Sequence, residues 1–221
     1  MRVVIAGGHG KIALITEGLL SRRGDSVAGF IRNPAHTGDV EQAGAEAVVL
    51  DLEQASVEEV ASQLTGADAV VFAAGAGPGS GAARKETVDR DAAILLADAA
   101  QAAGVRRYVM ISSMGADAEA PDEAGDPVFV AYLRAKGAAD DAIRARTTLD
   151  WTVVRPGMLT DDPGSGTVTI AESTGHEHIP RADVAAVLVA VLDTPETAGV
   201  TFELISGDTA IADAVAKLAR H

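Results

Sequence analysis

Residues 2–20 read RVVIAGGHGKIALITEGLL. A short apolar run, Val3-Val4-Ile5-Ala6, leads into Gly7, Gly8 and Gly10, and a helical pattern follows with Ile12, Ile15, Leu19 and Leu20 on one face. The reading is strand, tight turn, helix. A glycine turn that feeds directly into a helix leaves backbone N–H groups pointing outward with no side chain in the way, which is an anion site. In the spacing Gly7-x-x-Gly10-x-x-Ala13, Gly7 permits the sharp turn and Gly10 permits close approach of a pyrophosphate. Ala13 is small enough for the helix to lie on the sheet. A glycine-rich loop that binds nothing is the bland alternative; the N-terminal strand–helix context favours a dinucleotide.

Outward from this stretch, strand-like and helix-like segments alternate. Strands are expected at Ser26–Arg32, Glu46–Leu50, Asp68–Ala73, Arg106–Ser112, Trp151–Arg155 and Val200–Ile205, with a short extra one at Thr167–Ala171. Helices are expected at Ala35–Ala43, from Ser56 to about Leu64, and at Arg84–Ala103, Val128–Arg146, Arg181–Leu192 and Thr209–Ala219. Ser56 with Glu59 spells a capping box, and Gly104 a helix C-cap. Strands separated by helices predict a Rossmann-type α/β fold: a doubly wound parallel sheet with helices on both faces and a short C-terminal substrate region. No repeat or linker divides residues 1–221, so one dinucleotide-binding domain is expected.

Composition narrows the function. The chain has 221 residues, 48% hydrophobic, with a net charge of −14. That charge disfavours a nucleic-acid backbone or an anionic membrane surface. No cysteine is present, so disulfides, thiolate nucleophiles and Cys-based zinc sites drop out. The longest strongly apolar stretch, Val184–Leu192, is too short to span a bilayer, and no signal peptide is visible. A cytoplasmic monomer or homodimer acting on a small molecule is the expectation. His176 and His178 lack a clear third ligand, so no metal is expected.

Ligands of this fold lie beyond the carboxyl ends of the strands. The second strand ends Phe30-Ile31-Arg32-Asn33, where NAD binders place an acidic residue. A guanidinium there suits the 2′-phosphate of NADP(H), although a solvated arginine is the plain alternative. At the third strand's end, Asp51-Leu52 offers a carboxylate to adenine or a helix cap. Ala73-Ala74-Gly75 closes the fourth strand with small side chains that let a dinucleotide cross closely, and Ser112-Ser113 closes the fifth. In Tyr132-Leu133-Arg134-Ala135-Lys136, the first and last residues share a helix face. An ammonium near a tyrosine lowers its pKa, and such a phenol can move a proton at a carbonyl. An exposed tyrosine beside a solvated lysine is the bland reading. Substrate walls are expected from Gly75–Gly81, Gly115–Pro127 and Thr160–His178.

Taken in order, GGHGKIA (7–13), FIRNP (30–34), LDLE (50–53), VFAAG (71–75), AAGVRRYVMISSMGA (102–116), YLRAK (132–136), WTVVRPGMLTD (151–161) and IPRADVAAVLVAVLD (179–193) resemble the atypical short-chain dehydrogenases/reductases. Within that group the likeness is to NmrA-like proteins and the biliverdin reductase B/flavin reductase type. The resemblance covers nearly the whole chain. It implies that Gly7, Gly8, His9, Gly10, Lys11 and Ile12 line the pyrophosphate and that Arg32 and Asn33 meet the adenosine phosphate. Asp51 and Leu52 would flank adenine. Ala73, Ala74, Gly75 and Ser112 would line the crossing, and Lys136 would hold the nicotinamide ribose. Pro156, Gly157 and Met158 would touch the carboxamide. Tyr132, Lys136 and Ser113 would form the catalytic group, with Ser113 aimed at the substrate carbonyl. One departure is visible: Asn33 is the only asparagine, so the tetrad asparagine of many members is missing, and Asp89 stands where extended members often have one. The implied activity is NADPH-dependent hydride transfer to a small carbonyl, quinone or flavin. A non-catalytic NADP(H) sensor is the second reading, and an epimerase or dehydratase the third.

Overall fold

The computed structural model describes residues 1–77 and 79–218. The strands are β1 (Arg2–Ala6), β2 (Ser26–Ile31), β3 (Glu46–Val49), β4 (Ala69–Phe72), β5 (Arg107–Ile111), β6 (Asp150–Pro156), β7 (Met158–Thr160), β8 (Thr167–Ala171), β9 (His178–Pro180), β10 (Val200–Ser206) and β11 (Thr209–Ala210). The helices are α1 (Lys11–Arg22), α2 (Thr37–Gln42), α3 (Val57–Gln63), α4 (Ala82–Arg84), α5 (Ala92–Ala103), α6 (Pro127–Arg144), α7 (Arg181–Leu192) and α8 (Ile211–Leu218). A π-helical turn, Lys85–Asp91, joins α4 to α5.

A nine-stranded sheet runs β11-β8-β10-β6-β5-β4-β1-β2-β3. From β3 to β10 every pairing is parallel; β8 joins antiparallel. The order reverses at β1, which lies between β2 and β4, so the switch point falls at the end of β1. The strands alternate between two apolar faces. Val3, Ile5, Val71, Val109 and Val154 pack beneath α1 and α7. Val4, Ala6, Phe72, Met110 and Val153 pack beneath α5 and α6. A parallel sheet covered on both faces needs this near-continuous Val/Ile/Ala content.

Local signals explain most boundaries. Ser56 accepts from Glu59 N while the Glu59 carboxylate accepts from Ser56 N, the reciprocal capping box. Gly104 closes α5 at φ 74°. Three segments differ from expectation. The helix expected over Thr209–Ala219 begins instead as β11, because Thr209 and Ala210 pair with β8; Ala219 lies outside the described residues. β8 falls where the short extra strand is expected, but β7 and β9, which no strand signal marks, flank it and pair with each other. The long helix expected from Arg84 widens into the π turn, which turns Lys85, Val88 and Asp89 inward. No described helix is long and apolar enough to cross a membrane.

Two buried polar groups are structural. The phenol of Tyr108 donates to Ala93 O at 2.9 Å, and burial pushes its pKa far up. Glu17, on α1, is fully buried, and neither carboxyl oxygen has a partner among the described residues. It lies against Gly8 and Gly29: a Cβ on Gly29 would come within 2.5 Å of its Oε1. Burial pushes the Glu17 carboxyl up to about 8. The folded state therefore holds a proton that the unfolded chain releases near its ordinary value of 4.5. The stability this proton gives is complete below that value and falls by up to about 1.4 kcal/mol per pH unit until the folded pKa is passed. Glu17→Gln is expected to flatten the pH dependence of urea unfolding between pH 5 and pH 8 and to be relatively more stable at pH 8. Parallel profiles for the two proteins would show that Glu17 does not titrate in this range.

Candidate functional site

Every parallel strand ends on the same edge of the sheet, and two cavities open there. The first, about 340 Å³, is walled by Gly7, His9 and Gly10 after β1 and by Phe30–Asn33 at the end of β2. Leu50–Glu53 after β3, Ala73–Ala76 after β4, and Arg84, Val88 and Ala92 complete it. Gly7 sits at φ 81°, and a Cβ there would reach Ala74 Cα at 2.6 Å, so the turn requires glycine. Gly8 packs below the loop, donating to Phe30 O. Gly10 is the N-cap of α1 in ordinary extended backbone and is solvent-exposed. The first-turn N–H groups, of Lys11, Ile12 and Ala13, have no acceptor within the helix. The bare backbone at Gly10 and these donors fit a phosphate.

Several predicted residues stand in this cavity with defined tasks. Asn33 Oδ1 caps the turn at Pro34–His36 by accepting from Ala35 N. Asp51 Oδ1 accepts from Glu53 N, so this carboxylate shapes its own loop. His9 stacks on His36 at 3.5 Å between ring centroids, with Nε2 2.8 Å from Asp39 Oδ2. The Lys11 ammonium is turned away and pairs with Asp161, which also accepts from Arg181.

Arg32 reaches Glu53 Oε2 at 2.9 Å. Burial alone would raise the Glu53 pKa; a hydrogen bond from Thr87 and the guanidiniums of Arg84 and Arg32 outweigh it and hold the carboxyl below its ordinary value. Glu53, Arg84 and His36 were not singled out from the sequence. Glu53 had a signal, being the last letter of LDLE at a strand end; Arg84 had none, since it lies 31 residues away.

The second cavity, about 510 Å³, opens beyond β5 and β6. Ser113, Met114, Gly115, Pro156, Gly157 and Met158 form its floor, and Asp117, Ala120, Pro121, Ala124, Phe129 and Leu133 one wall. His176, Glu177 and His178 form the other, brought there by the pairing of Met158 with His178. Gly157 must be glycine, because a Cβ would lie 2.3 Å from Glu177 O. Of the walls expected from 115–127 and 160–178, residues between 115 and 124 and residues 176–178 line this cavity. Gly75 and Ala76 instead line the first cavity.

The tyrosine–lysine pair is divided between two partners. Lys136 is buried, its Nζ 3.3 Å from Asp89 Oδ1, donating to Ile111 O at 3.1 Å and 5.4 Å from the Phe72 ring centroid. Asp89 Oδ2 accepts from Ala76 N, which ties this ion pair to the loop after β4. Tyr132 is half-buried, with Lys85 Nζ 5.3 Å from its ring centroid and Phe129 stacked at 6.1 Å, and it walls neither cavity. Ser112 is buried and its N–H donates to Val154 O, whereas Ser113 faces the second cavity. Asp140, four residues after Lys136 on the same face, accepts from Arg155 Nε at 2.9 Å. Burial raises the Asp140 carboxyl, and the neighbouring Ser112 hydroxyl, Arg155 and Lys136 only partly offset it.

Residues 7–195 match the model of a family described as NAD(P)H-binding. The chain belongs to this family. Within it, the uncharacterized sugar epimerase YhfK of Bacillus subtilis is 38% identical, over 99% of this chain and 100% of that one. A solved structure from Bacillus halodurans, provisionally named an NAD-dependent epimerase/dehydratase, superposes with a TM-score of 0.89 at 36% identity, covering 98% and 99% of the two chains. The oxidoreductase ylbE of Lactococcus lactis does so at 0.86 and 27%, covering 100% and 98%. A fold of this kind holds a dinucleotide at its glycine loop and strand ends, and the first cavity lies there.

Proposed function

We propose that the protein is an NADPH-dependent reductase of the atypical short-chain type, delivering hydride to a flat conjugated acceptor of the quinone or flavin class. The observation that carries this is the paired cavities on one sheet edge: one lined by the glycine loop and strand ends at the switch point, and a largely apolar one beside Ser113 and Pro156. The oxidoreductase name of the Lactococcus protein agrees with it. In this reading the first turn of α1 takes the pyrophosphate and Arg32 takes the adenosine phosphate. Pro156 and Gly157 orient the nicotinamide end toward the second cavity. The bound cofactor supplies the hydride. Met114, Phe129 and Leu133 exclude water from the acceptor's faces, while the Ser113 hydroxyl, which donates to Met114 O at 3.1 Å, turns to donate to the acceptor's oxygen or nitrogen. The balancing proton comes from solvent, because Tyr132, its ring held between Lys85 and Phe129, is not among the residues lining the second cavity.

Steady-state NADPH oxidation with a soluble quinone and with a free flavin tests this. Tyr132→Phe is expected to lower kcat by less than tenfold. A fall of about 10²–10⁴ would restore Tyr132 as the proton donor and turn the reading toward carbonyl substrates. The epimerase names of two relatives give a second reading, in which cofactor is not consumed; the same assay, showing no net oxidation, would favour it.

A further inference from the structure

We propose that Arg84 is a second reader of the adenosine 2′-phosphate, forming with Arg32 a two-armed clamp that Glu53 holds in register. This rests on the NADP(H) reading of the first cavity and assigns the selectivity to a residue no motif contains. Arg84 approaches from α4, across the cavity from β2, and its guanidinium donates to Glu53 Oε2 at 2.5 Å. Arg32 donates to the same oxygen at 2.9 Å. Two guanidinium nitrogens on one oxygen are no farther apart than those two contacts laid end to end, a gap that a single phosphate group bridges.

The anchoring is one-sided. Glu53 is fixed by Thr87, whose hydroxyl donates to Oε1 at 2.7 Å, and by its own N–H on Asp51. The arginine side chains are the accessible partners, 53% exposed for Arg32 and 39% for Arg84 against 19% for Glu53. The arginines can therefore swing to an incoming anion while Glu53 stays. Two cations against Glu53 leave this trio with one net positive charge on a chain that is strongly negative overall, and Asp51, which accepts from Glu53 N, adds one carboxylate to the same wall. The paired guanidiniums suit a phosphate dianion and give a ribose hydroxyl no comparable gain.

Equilibrium binding of NADPH, NADH and adenosine 2′-monophosphate to the full chain tests the clamp, by nicotinamide fluorescence and calorimetry. Arg84→Ala is expected to weaken NADPH and adenosine 2′-monophosphate about tenfold each, as Arg32→Ala does, with NADH changing less than twofold. Arg84→Lys should recover part of the loss, since the charge remains without the fork. Loss in Arg32→Ala alone would overturn the clamp and leave the NADPH reading standing. Wild-type protein that binds NADH as tightly as NADPH would remove both. A Glu53→Gln variant that loses NADH selectively would make Glu53 a reader of the ribose hydroxyl and overturn the proposal as well.

Discussion

Gly10→Val is expected to weaken both NADPH and NADH by at least about 100-fold, or roughly 2.7 kcal/mol, while the fold survives. Gly10 is exposed and sits at φ −66° and ψ 144°, a backbone any residue adopts. Its added Cβ would lie 3.1 Å from Gly7 O, a tight contact that a small shift relieves, with Ala73 O and Ala13 Cβ at ordinary distances of 3.7 and 3.9 Å. The two methyls would then stand over the first turn of α1, where the pyrophosphate must meet the N–H groups. Gly7 would be a poor choice for the same experiment, because its positive φ and the 2.6 Å approach to Ala74 Cα make any substitution a folding defect. Thermal melting and fluorescence titration on one preparation read both quantities. A folded Gly10→Val protein that binds dinucleotide at wild-type affinity would place the cofactor elsewhere.

Lys136→Ala carries the second large effect, on stability. Lys136 and Asp89 are an almost fully buried ion pair, 4% and 1% exposed. Deleting the cation strands a carboxylate in the interior, which costs about 3–5 kcal/mol in comparable buried pairs. Ala76 N, held by the other Asp89 oxygen, belongs to the wall of the first cavity, so the loop after β4 should loosen together with the core. Removing both charges in a Lys136→Met/Asp89→Asn variant should recover most of the loss. Urea unfolding of the single and double variants decides it. A single-variant cost below about 1 kcal/mol would mean that water reaches Asp89 and the pair is not structural.

The contrast between these residues shows how far the sequence could be read. The glycine loop, the strand ends and the two-faced sheet were legible because each is a local pattern: an apolar run, a breaker, then helical spacing. Asp51, Ala73, Ala74 and Gly75 followed from being strand-end residues in a fold whose ligands sit at strand ends, whereas Pro156 and Gly157 came from the family resemblance. Tyr132 and Lys136 share a helix, as their spacing requires, but their partners come from the π turn at 85–91, which has no sequence signature here. That turn brings Lys85 to the tyrosine and Asp89 to the lysine. Glu53 and Arg84 meet only through tertiary structure. β7 and β9, three residues each, are too short for period-2 alternation to register, so His178 could not be placed beside Met158 in advance.

The central claim is that the crevice uses NADPH as a hydride source. Its most direct test is the initial rate of reduced-nicotinamide oxidation by purified protein with a soluble quinone, NADPH and NADH compared side by side. The account predicts saturable oxidation that favours NADPH, loses that preference in Arg32→Ala and disappears in Gly10→Val. Tight NADPH binding with no oxidation above the buffer rate, across quinone, flavin and carbonyl acceptors, would contradict it and leave a protein that binds the dinucleotide without turning it over.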